Sequence, residues 1–153
     1  MSASEPVRVR VLRLPEAADL PLPEKATAAS AGFDMRACVA ESIVIGPGER
    51  ALVPTGFAIA LPEGYEAQVR PRSGLALKTG LTLLNTPGTV DADYRGEIRI
   101  LVVNHGESPV EIRRGDRVAQ LVVQRVPEVV LEPVSELPGS ARGGGGFGHT
   151  GTR

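Results

Sequence analysis

Residues 7–14, Val-Arg-Val-Arg-Val-Leu-Arg-Leu, alternate apolar and basic side chains almost strictly. A period of two is the pattern of a strand with one buried face, and it predicts a first strand over 7–14. Residues 15–30 carry Pro15, Pro21 and Pro23 among alanines and acidic residues, which suits an extended connection better than a helix. After Cys38, short β-branched stretches recur at 41–45, 50–54, 56–61 and 65–71, each stopped by Gly or Pro, and again at 81–84, 89–90, 97–104, 109–112 and 117–126. Turn signals this regular predict antiparallel sheets of roughly ten short strands. Only residues 73–79 have helical character, with Ser73 as the expected N-cap and Gly80 as the C-terminal stop. The fold class that follows is all-β, a sandwich or jelly roll with one short helix. From residue 126 the chain runs through Pro127, Pro133 and Pro138 into Arg142, four glycines, Phe147 and Gly148. Such a composition builds no core of its own, so residues 1–138 are expected to form the β domain and 139–153 a flexible tail.

Composition narrows the class of partner. Of 153 residues, 18 are Gly and 13 Pro, which disfavours a helical bundle. With 42% hydrophobic and 23% charged residues the chain is too apolar for disorder and too evenly mixed for a membrane protein. Aromatics are 3% with no Trp, so the core is expected to be aliphatic and the few Tyr and Phe to serve recognition. A net charge of -1 removes bulk electrostatics as a reason to expect a nucleic-acid polymer or an anionic membrane as partner. The single Cys38 cannot close an intrachain disulfide, and residues 1–13 lack the apolar stretch of a signal peptide, so a cytoplasmic location is expected.

Four stretches carry candidate chemistry. Pro71-Arg72-Ser73-Gly74-Leu75-Ala76 places a guanidinium and a hydroxyl at a helix start. Two readings fit it: a phosphate cradle, or an N-cap beside a solvated arginine. The loop from Asn85 to Glu97 holds Asp91 and Asp93 on either side of Ala92, with Tyr94 following. Asn85 offers the donor and acceptor needed to read a base edge and Asp91 a general base, yet the same residues make an ordinary hairpin. Residues 115–122, Gly-Asp-Arg-Val-Ala-Gln-Leu-Val, read either as a core strand with Gln120 facing solvent or as part of a site. Four consecutive glycines between Arg142 and Phe147 make either a flexible linker or a loop that closes on a ligand.

Taken together, residues 31–37 (AGFDMRA), 71–76 (PRSGLA), 88–98 (GTVDADYRGEI), 115–122 (GDRVAQLV) and 142–151 (RGGGGFGHTG) resemble, in order and spacing, the five motifs of the homotrimeric dUTP pyrophosphatases, the dUTPases. The resemblance implies a jelly-roll-like subunit, a homotrimer whose active sites are shared between chains, and hydrolysis of dUTP to dUMP and diphosphate with Mg2+ on the triphosphate. It implies that Asp91 activates the water attacking the α-phosphorus. Tyr94 would pack on the deoxyribose, and Asn85 with the backbone of Thr89, Val90 and Asp91 would read uracil. Arg72, Ser73, Gly74 and Gln120 would bind phosphates, with Arg99 a further substrate contact. Arg142 would reach the γ-phosphate, and Phe147, followed by Gly148, would stack on the base as the tail closes over a neighbouring subunit. Asp34 would sit near the metal, acting through bound water.

A rival branch with a similar fold, the dCTP deaminases, needs a catalytic Glu where this sequence has Leu101, and a noncatalytic trimer would not need Asp91 or the tail. Met35 replaces a common Leu, a nearly volume-conserving change. The departure with a chemical consequence is His149, which stands where the family most often has Ser. An imidazole gains charge as pH falls through the range from about 8 to 5. If it contacts phosphate, KM for dUTP should be lower at pH 6 than at pH 8, and His149→Ser should flatten that difference; identical pH profiles for the two proteins would contradict the contact.

Overall fold

The computed structural model describes residues 5–151. Its strands are β1 (Arg10–Arg13), β2 (Phe33–Arg36), β3 (Ile43–Ile45), β4 (Arg50–Ala60), β5 (Tyr65–Arg70), β6 (Leu81–Leu83), β7 (Gly88–Val90), β8 (Glu97–Asn104), β9 (Val110–Ile112) and β10 (Arg117–Arg125). One helix, α1 (Ser73–Thr79), and one 3-10 turn (Pro15–Ala17) complete the described elements. The strands pair antiparallel in three sheets, ordered β1-β4-β8-β6, β2-β10-β5-β7 and β3-β9. The fold is jelly-roll-like and mostly β, as the turn spacing predicts.

Alternation explains the layers. Along β8, Ile98, Ile100 and Val102 are buried while Arg99 points to solvent, and Ala67 and Val69 do the same on β5. These side chains meet Met35, Ile45, Val53, Leu81, Leu83, Ile112 and Leu121 in one aliphatic core fed by all three sheets. Each fully buried Val, Leu or Ile contributes about 1.5–3 kcal/mol relative to exposure. Within that core lies Asn104, fully buried. Its Nδ2 donates to the carbonyls of Ile45 at 2.9 Å and Ser108 at 2.8 Å, and its Oδ1 accepts from Gly106 N at 2.8 Å. The turn it fixes touches the end of α1, where Gly80 adopts φ +76 and a β-carbon would lie 2.3 Å from Gly106 N. Gly80 therefore stops the helix as expected.

Four local expectations are corrected. The segments 50–54 and 56–61 are one strand, β4, because a bulge between Pro54 and Ala58 absorbs the proline. Thr55 Oγ1 donates to Ile98 O at 2.6 Å and Gly56, at φ +73, donates its N–H to Glu97 Oε1 at 2.9 Å, so the bulge keeps its polar groups satisfied. Ser73 is not the N-cap; Arg72 holds that position without a side-chain cap bond, and Ser73 is the first helical residue. Strand β2, which the apolar runs do not predict, forms because Asp34 and Arg36 alternate with Phe33 and Met35 and β10 supplies a partner. The first strand is confined to Arg10–Arg13 and has no buried face: every residue in it is exposed, with Leu12 at 61%. Its period is right, but on the apolar side only Val9, just before the strand, packs against the core, and Val7 and Val11 stay exposed.

Cys38 is buried with Ala17, Leu20 and Phe57 in a second, smaller cluster. Above it Arg114 binds Asp19 and the carbonyls of Glu16 and Val39. Hydrogen bonding from that guanidinium holds the Asp19 carboxyl below the usual carboxylate range. The sign is that of a depressed acid: the stabilisation is complete above the ordinary aspartate pKa and fades as pH falls through the folded value. Residues 126–151 form no helix or strand.

Candidate active site

The sheet β2-β10-β5-β7 places most of the predicted site residues. In its ladder Gln120 of β10 faces Asp34 of β2 on one side and Arg70 of β5 on the other. The chain leaves β5 at Pro71 and enters α1, so Arg72, Ser73 and Gly74 stand at the end of that row. Together with Ala26, Ser30, Ala31, Gly32, Asp34 and Gln120 they line a cleft of about 310 Å³. Gln120 does not simply face solvent. Its Nε2 donates to Pro71 O at 3.0 Å, and a β-carbon on Gly32 would lie 2.3 Å from its Oε1, so Gly32 makes room for the amide.

Two guanidiniums meet one carboxylate beside this cleft. Asp34 Oδ1 lies 3.2 Å from Arg72 Nε and Oδ2 lies 3.1 Å from Arg117 Nη1. Arg72 Nη1 also donates to the Arg117 carbonyl at 3.2 Å. Arg117 is the residue that reasoning from single side chains passes over; the only signal was its place in the stretch 115–122.

A second, tighter cavity of about 130 Å³ is lined by Asn85, Gly88, Thr89, Val90, Tyr94, Glu97, Arg99 and Leu101, among others. The hairpin between β7 and β8 shapes it. Tyr94 N donates to Asp91 O at 3.2 Å, Arg95 Nη1 to Ala92 O at 2.6 Å, and Tyr94 Oη to Glu97 O at 2.9 Å. Gly96 lets the phenol fold back, since a β-carbon there would lie 2.5 Å from Tyr94 Oη. Glu97 Oε2 in turn holds Arg99 Nε at 3.1 Å. Asp91 is exposed at the mouth of the hairpin, just after β7.

No residue lines both cavities. Register explains their separation. Val90 of β7 faces Ala67 of β5, whereas Arg70 faces Gln120. Three residues of strand, about 10 Å at ~3.3 Å each, separate Ala67 from Arg70. Because β7 runs antiparallel to β5, Asp91 lies beyond one end of that interval and Arg72 beyond the other. The third group, Arg142, Phe147 and Gly148, joins neither cavity. Arg142 Nε donates to Gly145 O at 2.7 Å, the tail's other hydrogen bonds are equally local, and Phe147 is fully exposed.

The dUTPase family model matches residues 18–151. A deoxyuridine 5'-triphosphate nucleotidohydrolase from Methylocella silvestris is 51% identical over 150 residues, covering 97% of this chain and 94% of that protein. The chain belongs to the dUTPase family. Among solved structures, a dUTPase mutant of Staphylococcus bacteriophage 80alpha with dUpNHpp superposes with TM-score 0.85 at 28% identity, covering 95% of this chain and 99% of that one. A mutant dUTPase from phage phi11 of S. aureus, described as revealing the coordination of a structural Mg(II) ion, gives 0.76 at 27%, covering 86% and 99%.

Within the dUTPase frame, the residues present do not form a protein cage for a cation. Among the described residues no group of three or more His, Cys, Asp or Glu side chains is placed to hold a metal, and both oxygens of Asp34 are paired with arginines. Mg2+ commonly keeps several waters and relies on substrate phosphates, so a metal here is best treated as part of a nucleotide substrate. Gly32 gives the clearest structural test of the larger cleft. Gly32→Ala should displace the Gln120 amide and raise KM for dUTP about tenfold, the scale of one lost hydrogen bond, with little change in thermal stability; steady-state kinetics beside a thermal melt check it, and an unchanged KM would remove Gln120 from substrate binding.

Proposed function

We propose that this member of the dUTPase family is a homotrimeric dUTP diphosphatase of the cytoplasm, limiting uracil incorporation into DNA and supplying dUMP. Three groups of residues divide the substrate between them. Asn85 and the backbone of Thr89, Val90 and Asp91 read uracil in the small cavity, Tyr94 packs on the deoxyribose, and Arg99 is a further contact at the rim. Arg72, Ser73, Gly74 and Gln120 hold the triphosphate. Tail residues 139–153 reach over the active site of a neighbouring subunit, bringing Arg142 to the γ-phosphate and Phe147, next to Gly148, onto the base.

The chemistry is a single displacement. Asp91 orients a water and accepts its proton as the water oxygen bonds to the α-phosphorus. The bond from that phosphorus to the α,β-bridging oxygen breaks, and diphosphate leaves. Mg2+ bound to the nucleotide would offset charge on the triphosphate. The ordered donors of the cleft do the rest by holding the phosphates still.

The observation that carries this reading is the separation of Asp91 from Arg72. A base must come within hydrogen-bond reach of the water it activates, about 2.6–3.2 Å, whereas the β5 register keeps the two residues more than ~10 Å apart within one chain. The separation supports a site in which the two residues come from different chains. Uncovered apolar surface supports assembly: Leu12 on β1, and Val130 and Leu131 in the segment before the tail, are exposed at 61%, 83% and 88%. The deaminase alternative finds no support, since Leu101 lines the small cavity with an alkyl group where that chemistry needs a carboxylate.

The assay is pyrophosphate release from dUTP, dCTP, dTTP and UTP with Mg2+. Hydrolysis confined to dUTP is expected, and Asp91→Asn should lower kcat by at least a hundredfold, at the scale of general-base loss, while nucleotide binding persists. Ammonia release from dCTP, or full turnover by Asp91→Asn, would overturn the assignment.

A further inference from the structure

We propose that Asp34 is a positioning residue for Arg72 and Arg117, not a contact to the substrate's metal. The inference rests on the cleft of Arg72, Ser73, Gly74 and Gln120 being the phosphate site. Asp34 is locked in place from both sides. Its N–H donates to Glu24 O at 2.8 Å, and its ladder partner on β10 is Gln120. Only 12% of its side chain is exposed, and each carboxylate oxygen has its own guanidinium, Arg72 on Oδ1 and Arg117 on Oδ2. Each oxygen of the carboxylate is thus committed to an arginine on one side, although Asp34 still lines the cleft.

The consequence falls on Arg72. A guanidinium has five N–H donors in a rigid fork. Here the Arg117 carbonyl takes one hydrogen of Nη1, and Asp34 Oδ1 forms an ion pair with Nε at 3.2 Å. Four donors remain, and the Asp34 ion pair with the Arg117 carbonyl orients the fork before any phosphate arrives. Without the carboxylate, two like charges would share the end of one sheet with nothing between them, and Arg72 would turn to solvent. Asp34 thus removes a rotamer search that the ligand would otherwise have to complete on binding. Arg117 closes the arrangement from the other side, although it does not line the cleft itself.

Metal-free binding separates the two roles. In EDTA, a carboxylate whose only task is a metal contact repels phosphate, so Asp34→Asn would leave binding unchanged or tighten it. A carboxylate that positions Arg72 predicts the opposite. Calorimetry of dUMP, dUDP and dUpNHpp, the analogue in the phage 80alpha structure, is the measurement. For Asp34→Asn in EDTA we expect dUpNHpp to bind on the order of tenfold more weakly, the scale of a charge-assisted hydrogen bond, with dUMP within about twofold of native. Arg117→Gln, which keeps Asp34, should shift dUpNHpp in the same direction by less, and the double variant should be less than additive because the residues form one network. Melting curves show that the variants are folded; should Asp34→Asn fail to fold, Arg117→Gln carries the test alone. Unchanged or tighter dUpNHpp binding in EDTA, in either variant, would overturn the proposal. A native protein that binds none of the three nucleotides would overturn the phosphate-site reading beneath it, and this is seen before any variant is made.

Discussion

Strand β5 is hydrogen-bonded to β10 on one side and β7 on the other, and the direction of those two ladders sets where chemistry can happen. Both partners run antiparallel to β5. The chain that leaves β5 toward Arg72 therefore moves away from the end of β7 that presents Asp91. Backbone registers are not adjustable in small steps, because a slip of one residue would turn every buried side chain of the strand to the opposite face. Once Ala67 and Val69 are committed to the core, the distance between the Arg72 cleft and the hairpin is fixed.

That commitment is maintained by an aliphatic core and a few buried polar pins. Asn104 ties β3 to the turn after β8, and Thr55 with Glu97 satisfies the bulge that lets β4 pass through Pro54. Each pin is placed where a regular ladder is interrupted, and an unpaired buried polar group would cost about 1–3 kcal/mol. Gly80 and Gly106 lie back to back because no β-carbon fits between them. The same economy of space acts at the site: Gly32 clears Gln120 and Gly96 clears Tyr94, so two glycines of the motifs act through the side chain of a neighbour.

Most strands were legible from alternation and turn residues, because apolar period and strand pairing agree over β5, β8 and β10. The short helix and its Gly80 stop were legible for the same local reason. Strand β2 was not, since its alternation runs for only four residues, too short to stand out until β10 lies beside them. The exposed β1 marks a further limit: its pattern expects a buried face, whereas all four residues of the strand are exposed. Of the candidate site, residue types and their grouping were readable, including Asp91, Tyr94 and the row from Arg72 to Gly74. Arg117 and Gly32 were not, because each matters through a partner distant in sequence, Asp34 in one case and Gln120 in the other. The employment of Asp34 by two arginines was likewise invisible without the ladder.

If different chains supply Asp91 and Arg72 to one site, two inactive proteins should repair each other. Asp91→Asn and Arg72→Ala proteins, unfolded together in equal amounts and refolded, would form mixed assemblies at random. About a quarter of the sites would then combine an intact Asp91 from one chain with an intact Arg72 from another, so dUTP turnover should recover to about a quarter of the native rate. Mixed assemblies with no more activity than the separate variants would show that each site draws both residues from the same chain, and would contradict the account.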